Sequence, residues 1–240
     1  MILTEEQVSF IQMVIATANI IRSETNKDST ATTSGISIEP NMVRAVNSNN
    51  SAFILQTTGI PDFSFGSVAT TRTELFTSRL ELLRNLPGFQ IEAVIDNFVK
   101  SLKMTANKTT SIEFRCSSPS IVRSSRTFKD ILKYEVQLNS DAVDLLKRSV
   151  NAMKATDVTI KCDNSGASFI IEDDNNDRFE HLFSTTVNSI DDDKPFFTFK
   201  YPLKLVLALF QHNSESFKVS ENGFLNTVIN GLNIYVFPIL

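Results

Sequence analysis

The sequence predicts an α+β fold made of two copies of one helix–hairpin–strand–helix–meander module. The first observation is the run 196–240. Phe196-Phe197-Thr198-Phe199-Lys200 reads as a half-buried strand. Pro202 stands where a helix would begin, a position that tolerates a missing N–H. Leu203, Leu205, Val206, Leu207, Leu209 and Phe210 then make a compact apolar helix. Strand-like runs at 214–221, 224–229 and 232–237 follow, separated by Asn222-Gly223 and Asn230-Gly231, both hairpin-turn dipeptides. The second observation is that this order recurs upstream, as a strand at 62–69, a helix at 73–86 and strands at 90–96, 99–105 and 110–116. The third is that the halves open alike. Each has an amphipathic helix (4–21 and 140–153) and then a strand pair, 35–47 with 52–57 and 157–163 with 167–173. What repeats is the order of elements rather than the residues. The modules are 1–116 and 134–240, with 117–133 as the connector.

Composition agrees. A chain of 240 residues with 42% hydrophobic content supports one large or two small cores. Nineteen Phe and no Trp make those cores aromatic, which suits sheet faces. A net charge of −4 argues against a protein that holds nucleic acid mainly by attraction to phosphates. Cys116 and Cys162 form no disulfide framework, so a reducing compartment is the simpler context. There is no apolar run long enough to cross a membrane and no basic start of a signal peptide. The expectation is a soluble, cytoplasmic protein.

The first helix is announced by Thr4 and Gln7, a T-x-x-Q capping box, with Leu3 and Val8 placed as a hydrophobic staple. Val8, Ile11, Ile15 and Ala18 form its buried stripe, widened by Phe10 and Val14. Its other stripe is small and almost uncharged, with Arg22 the one positive charge there. Residues 23–34 are polar and rich in Thr and Ser, as in a loop. Asn47-Ser48-Asn49-Asn50 makes a turn between strands.

On the second helix Leu75, Phe76, Leu82, Leu83 and Leu86 cluster on one face, yet Arg72 and Arg79 project onto it too. Either the helix is tilted so that the arginines snorkel out at its edge, or its boundaries lie elsewhere. The connector is either a solvated linker or a segment whose Ile121, Val122 and Phe128 line a partner groove. On the third helix Ala142, Leu145, Leu146, Ser149, Val150 and Met153 face a core, and Asp144, Lys147, Arg148, Asn151 and Lys154 face away. That basic stripe is a solvated face in isolation, or a lining if other helices share the surface. Lys204 on the fourth helix is a lesser counterpart.

Enzyme chemistry has little to stand on. His181 lies in an apolar alternation and His212 follows a helix end, with no zinc-ligand spacing. The run Glu172-Asp173-Asp174-Asn175-Asn176-Asp177 lacks the central Gly and terminal Glu of a calcium loop, and Asp191-Asp192-Asp193 before Lys194-Pro195 is turn chemistry. No phosphate-binding glycine motif occurs. No catalytic residue, metal or cofactor is expected.

With these elements in order, the chain resembles the sliding-clamp family of DNA processivity factors. Met42-Val43-Arg44-Ala45-Val46-Asn47 is similar to the strand and turn after the first helix in clamps of T-even-type phages, and 188–193, 196–201 and the following helix are similar to the corresponding segment there. Tyr235-Val236-Phe237-Pro238 resembles the terminal Tyr-x-x-Pro strand of the eukaryotic proliferating cell nuclear antigen. The pattern covers nearly the whole chain. The resemblance implies two duplicated clamp modules, each with its helices on one face of curved antiparallel sheets, and a closed ring with the helices inside. Two-module chains of the family close as trimers, and bacterial three-module clamps as dimers. It implies a processivity role on duplex DNA, with a replicative polymerase and a clamp-loader ATPase as partners. The alternative class is a β-rich phage tail or baseplate ring protein.

By position, the resemblance assigns the subunit interface to Ser111, Ile112, Glu113, Phe114 and Arg115 of one copy and Arg178, Phe179, Glu180, His181, Leu182 and Phe183 of the next. It puts Lys147, Arg148 and Lys154 toward DNA, with Arg22, Arg79 and Lys204 as further candidates. The first helix departs from the family in being nearly neutral on its inward stripe. A partner pocket is implied at Val46, Asn50 and Ser51 by the strand-and-turn match. Tyr235 and Pro238 join it by the terminal-strand match, and Ile121, Val122 and Phe128 by position in the connector.

Overall fold

The computed structural model describes residues 1–21, 35–47, 50–122, 131–189, 196–212 and 215–239. It has the predicted α+β fold, with four α-helices and antiparallel sheets among the described residues, which fall into two compact units that divide between 122 and 131.

Unit 1 opens with α1 (Glu5–Ile20). The capping box is present: Thr4 Oγ1 accepts from the Gln7 N–H at 3.2 Å, and Gln7 Oε1 accepts from the Thr4 N–H at 2.8 Å. Two of the helix's unpaired N-terminal groups are thereby satisfied. Gln7 is itself buried because its Nε2 donates onward to the Asp62 carbonyl.

The next stretch differs from expectation. Residues 35–47 do not run as one strand. They fold back at Pro40-Asn41 into β1 (Gly35–Glu39) and β2 (Met42–Val46), paired antiparallel, because proline lacks the N–H that a continuous ladder needs. β3 (Ala52–Gln56) follows a turn in which Asn47 Oδ1 accepts from the Ala52 N–H at 3.0 Å. Residues 48–49 of that turn lie outside the described residues, as do the 23–34 loop, Arg22 and 191–193. The strand expected at 62–69 shrinks to β4 (Val68–Thr70). Asp62 Oδ1 captures the Ser64 N–H and the Gly66 N–H turns back to the Phe63 carbonyl, which diverts the chain from extended structure. Phe63 goes instead into the core beside Phe10. The strands lie side by side in the order β4-β1-β2-β3.

α2 (Thr73–Arg84) ends two residues early, and its apolar face is offset from the expected one. Thr73, Phe76, Leu80 and Leu83 are buried, whereas Leu75 and Leu82 are 47% and 67% exposed. Thr73 Oγ1 meets Asn19 Oδ1 of α1 at 3.2 Å, which faces this stripe inward. β5 (Gln90–Asp96), β6 (Phe98–Ala106) and β7 (Thr110–Arg115) form a meander within a residue of expectation. Asn97, Asn107 and Lys108 take the left-handed backbone that such tight turns require. A 3-10 turn at Pro119–Ile121 begins the connector.

Unit 2 starts with β8 (Leu132–Gln137), a strand the sequence reading did not identify; the expected connector overlaps it by two residues. α3 (Ser140–Met153) is capped by Asn139 and closed by Lys154 in the left-handed conformation. Then come β9 (Asp157–Asp163), β10 (Gly166–Glu172), β11 (Arg178–Ser184), β12 (Val187–Ser189) and β13 (Phe197–Pro202). Pro202 is the last strand residue rather than the first helical one, and α4 (Leu203–His212) begins immediately after it. β14 (Ser216–Ser220), β15 (Leu225–Ile229) and β16 (Leu232–Val236) complete the predicted meander, with Gly223, Asn230 and Gly231 all at positive φ in its turns. Two strand orders result, β12-β8-β14-β15-β16 and β11-β10-β9-β13. Between them lies the aromatic core: Phe169 stacks on Phe183 at 4.0 Å, and Phe210 on Phe217 at 5.1 Å. Buried Tyr201 donates its hydroxyl to the Gly223 carbonyl at 2.8 Å, and burial pushes its pKa up.

Two outcomes test this packing. A Cβ on Gly166 (φ 128°) would lie 2.1 Å from the Ser184 carbonyl oxygen, backbone that cannot step aside. Gly166→Ala should therefore destabilise by at least about 2 kcal/mol, read as a lowered thermal midpoint. Burial pushes the thiol pKa of Cys116 up to about 12, against a smaller opposing pull from Arg72, and that of Cys162 up to about 11. At pH 8 both are protonated, so the native protein should react with a disulfide reagent far more slowly than the unfolded chain does.

Candidate functional site

Three sets of residues carry the functional expectations, and each is local to its unit. The first is the pair of uncovered sheet edges. On the sheet β5-β6-β7 one edge is closed by the chain's own start. Leu3 N–H donates to Ile91, Ala93 N–H donates to Met1, and Ile2 bridges Glu92. The other edge strand, β7, pairs with β6 and has no second neighbour among the described residues. On β11-β10-β9-β13 the Ile239 N–H donates to the Lys200 carbonyl, one bridge on β13, while β11 has no second neighbour among the described residues.

β7 exposes Ser111, Glu113 and Arg115, half-buries Ile112 and turns Phe114 into the core against Phe76, 5.2 Å away. β11 exposes Arg178, Glu180 and Leu182, half-buries Phe179 and His181, and buries Phe183. Arg178 and Glu180 pair at 2.9 Å. Both are six- or seven-residue strands with ionic groups of both signs and partly apolar rims.

The second set is the helix faces. Lys147, Arg148, Lys154 and Lys204 are all exposed, on α3, its C-cap and α4, and α3 packs on α4. Arg148 Nε also donates to the Asp144 carbonyl one turn back, at 3.4 Å. Arg79 differs. It is half-buried, with its guanidinium 5.6 Å from the centroid of the Phe114 ring, and Arg72 approaches the same ring at 5.0 Å. Neither sequence alternative for α2 anticipated this: the arginines are held by an aromatic face. Periodicity within the helix could not reveal it, because Phe114 lies on a distant strand.

The third set is apolar. Val46 and Val122 converge on Gly35, Val46 as its cross-strand partner and Val122 through its Cγ2, near enough to crowd any Cβ there. Asn50 adopts positive φ (57°) and Ser51 Oγ accepts from Asn47 Nδ2 at 2.9 Å, so both shape the turn after β2. Ile121 is exposed; Phe128 lies outside the described residues. In unit 2 Tyr235 and Pro238 are half-buried at the end of β16, beside the edge-to-face pair Phe224 and Phe237, and burial raises the Tyr235 pKa. Among the described residues no group of His, Cys, Asp and Glu could hold a metal ion, and no helix is long and apolar enough to cross a membrane.

No protein-family model matches the chain, and no curated protein matches it. Solved structures do. Caulobacter crescentus pol III beta aligns over 100% of this chain and 66% of its own, with a TM-score of 0.68 at 10% identity. The DNA polymerase III subunit beta of Pseudomonas aeruginosa aligns over the same shares with a TM-score of 0.67 at 11% identity. The Helicobacter pylori beta clamp bound to a DNA ligase peptide gives a TM-score of 0.61 at 10% identity, over 96% of this chain and 64% of that one. The chain thus has the sliding-clamp fold and spans just under two thirds of the length of these neighbours.

Proposed function

We propose that this protein is a DNA sliding clamp, a ring that encircles duplex DNA and tethers the replicative polymerase during processive synthesis. The likeness of fold carries this reading, since the whole chain aligns with about two thirds of a bacterial clamp subunit. Two modules out of three account for that share, and six modules around a duplex then require three copies. The connector over 117–133 joins the modules 1–116 and 134–240.

The open edges supply the joints. β7 of one copy pairs with β11 of the next, so that both rows of unpaired backbone groups find partners. Net hydrogen-bond contributions of about 0.5–1.5 kcal/mol each leave a short ladder of a few bonds below the about 8 kcal/mol of micromolar affinity. Burial of Ile112, Phe179 and Leu182 supplies the rest, and the joint stays weak enough to come apart on dilution.

A closed ring is retained by topology, so a net charge of −4 is no obstacle. It needs a mildly positive lining and no base readout. Lys147, Arg148, Lys154 and Lys204 provide one; Arg79, held by Phe114, adds less, and Arg22 completes the set proposed from the sequence. An acidic exterior keeps DNA off other surfaces. Short peptides of the polymerase dock at Val46, Asn50, Ser51, Ile121, Val122 and Phe128, and at Tyr235 and Pro238. The ring hydrolyses nothing itself, and an ATP-driven loader opens it in the cytoplasm of the cell in which it works.

Light scattering after size exclusion should give about three times 26.8 kDa, falling over a dilution series; a monomer persisting at micromolar concentration would count against the ring. The double substitution Lys147→Glu with Arg148→Glu should keep that mass while lowering stimulation of the polymerase at least tenfold. Loss of assembly instead would remove this face from the channel.

A further inference from the structure

The two helix pairs hold the same place in the order of elements, but their surfaces differ in chemistry. On α1 and α2 the exposed ionic side chains are Glu5, Glu6, Glu74, Glu81 and Arg84. Arg79 is half-buried over Phe114, and Arg72, just before α2, donates to the Arg115 carbonyl. Arg84 is therefore the one exposed cation on this pair among the described residues, against four carboxylates. Leu75 and Leu82 stand out from the same helix, 47% and 67% exposed and two turns apart. On α3, its cap and α4 the balance is reversed. Lys147, Arg148, Lys154 and Lys204 are exposed against Asp141 and Asp144. Asp141 lies in the first turn, where a carboxylate compensates the helix dipole.

A duplex presents one negative charge per about 1.7 Å of axis, and each contact depends on a cation able to displace counterions. A guanidinium held over an aromatic ring is partly committed there. Leucines offer phosphates no hydrogen bond, and glutamates repel them.

We propose that phosphate contact is confined to α3 and α4, so that each copy offers the duplex one basic helix pair rather than two. This rests on the clamp reading and narrows it. It replaces a uniform lining by a discontinuous one, in which the α1–α2 surface passes the duplex without holding it.

The test compares two substitutions with the same change of charge, Lys147→Glu on α3 and Arg84→Glu on α2. Binding of each purified full-length variant to a fluorescein-labelled 30-base-pair duplex is followed by anisotropy across a salt titration, after light scattering has shown that its mass equals the wild type's. Lys147→Glu should weaken binding at least fivefold and reduce the steepness of log affinity against log salt by about 1 for each copy whose lysine meets a phosphate, up to about 3 in the trimer. Arg84→Glu should stay within twofold, with an unchanged slope. Equal losses from both would overturn the confinement and leave the clamp reading intact. Binding indifferent to both would overturn it as well, by placing DNA on neither helix pair. A trimeric wild type with no measurable duplex binding would overturn this inference too, because no helix pair would then hold phosphate, while the clamp reading, which rests on topological retention, would be decided by stimulation of the polymerase.

Discussion

Backbone amides and carbonyls drawn into a sheet have to be paired, and the rest of this structure depends on where that pairing stops. Residues 1–3 line one edge of its three-stranded sheet along β5, and Ile239 makes one bridge to β13. The chain leaves β7 and β11, two of its longer strands, without a second neighbour among the described residues. β4 and β12, by contrast, are three residues each, the length at which an edge attracts little. The long edges are also the ones that carry both apolar side chains and charges of both signs. That combination suits a specific neighbour better than solvent, and it is the physical ground for reading the protein as part of an assembly.

Behind those edges the two units use the same layering and fill it differently. Unit 2 concentrates stacked phenylalanines from β10, β11, α4 and β14 at one point, so the basic face of α3 and α4 rests on a rigid aromatic bed. Unit 1 spreads its aromatic contacts, Phe10 with Phe63 and Phe76 with Phe114, and commits two arginines to the outer rim of the second pair. Part of the electrostatic difference between the helix faces thus has a packing origin. In unit 1 cations support β7, and in unit 2 aromatic stacking does the equivalent work and leaves the cations outside.

Much of this was legible in the sequence wherever the signal was local. The Thr4–Gln7 capping box, the Asn-Gly turns and the alternation of β5 to β7 and β14 to β16 each rest on residues a few positions apart, and each appears within a residue or two of its expected place. Where distant partners decide, the reading slipped. Residues 132–137, of which the first two fall in the expected connector and the rest carry no expected element, become β8 because β12 and β14 flank them. The apolar face of α2 was misplaced because Leu75 and Leu82 count as core by composition, whereas Thr73 and Leu80 meet the core in fact. The same limit applies to the candidate site. Residue types named Lys147 and Arg148 correctly as exposed, but only coordinates reveal that Phe114 takes up Arg79.

The inequality of the two open edges has a further consequence. β7 and β11 differ in sequence and belong to different units, so a joint of one with the other is not self-complementary. Copies that join through these edges add head to tail, each addition regenerating the edge it consumed. Such growth has two endings, a ring if the rotation per step closes and a filament if it does not. The angle between one joint and the next therefore carries selective weight that no individual contact does. A substitution that leaves every hydrogen bond intact, yet changes that angle by a few degrees, would turn a counted assembly into an uncounted one.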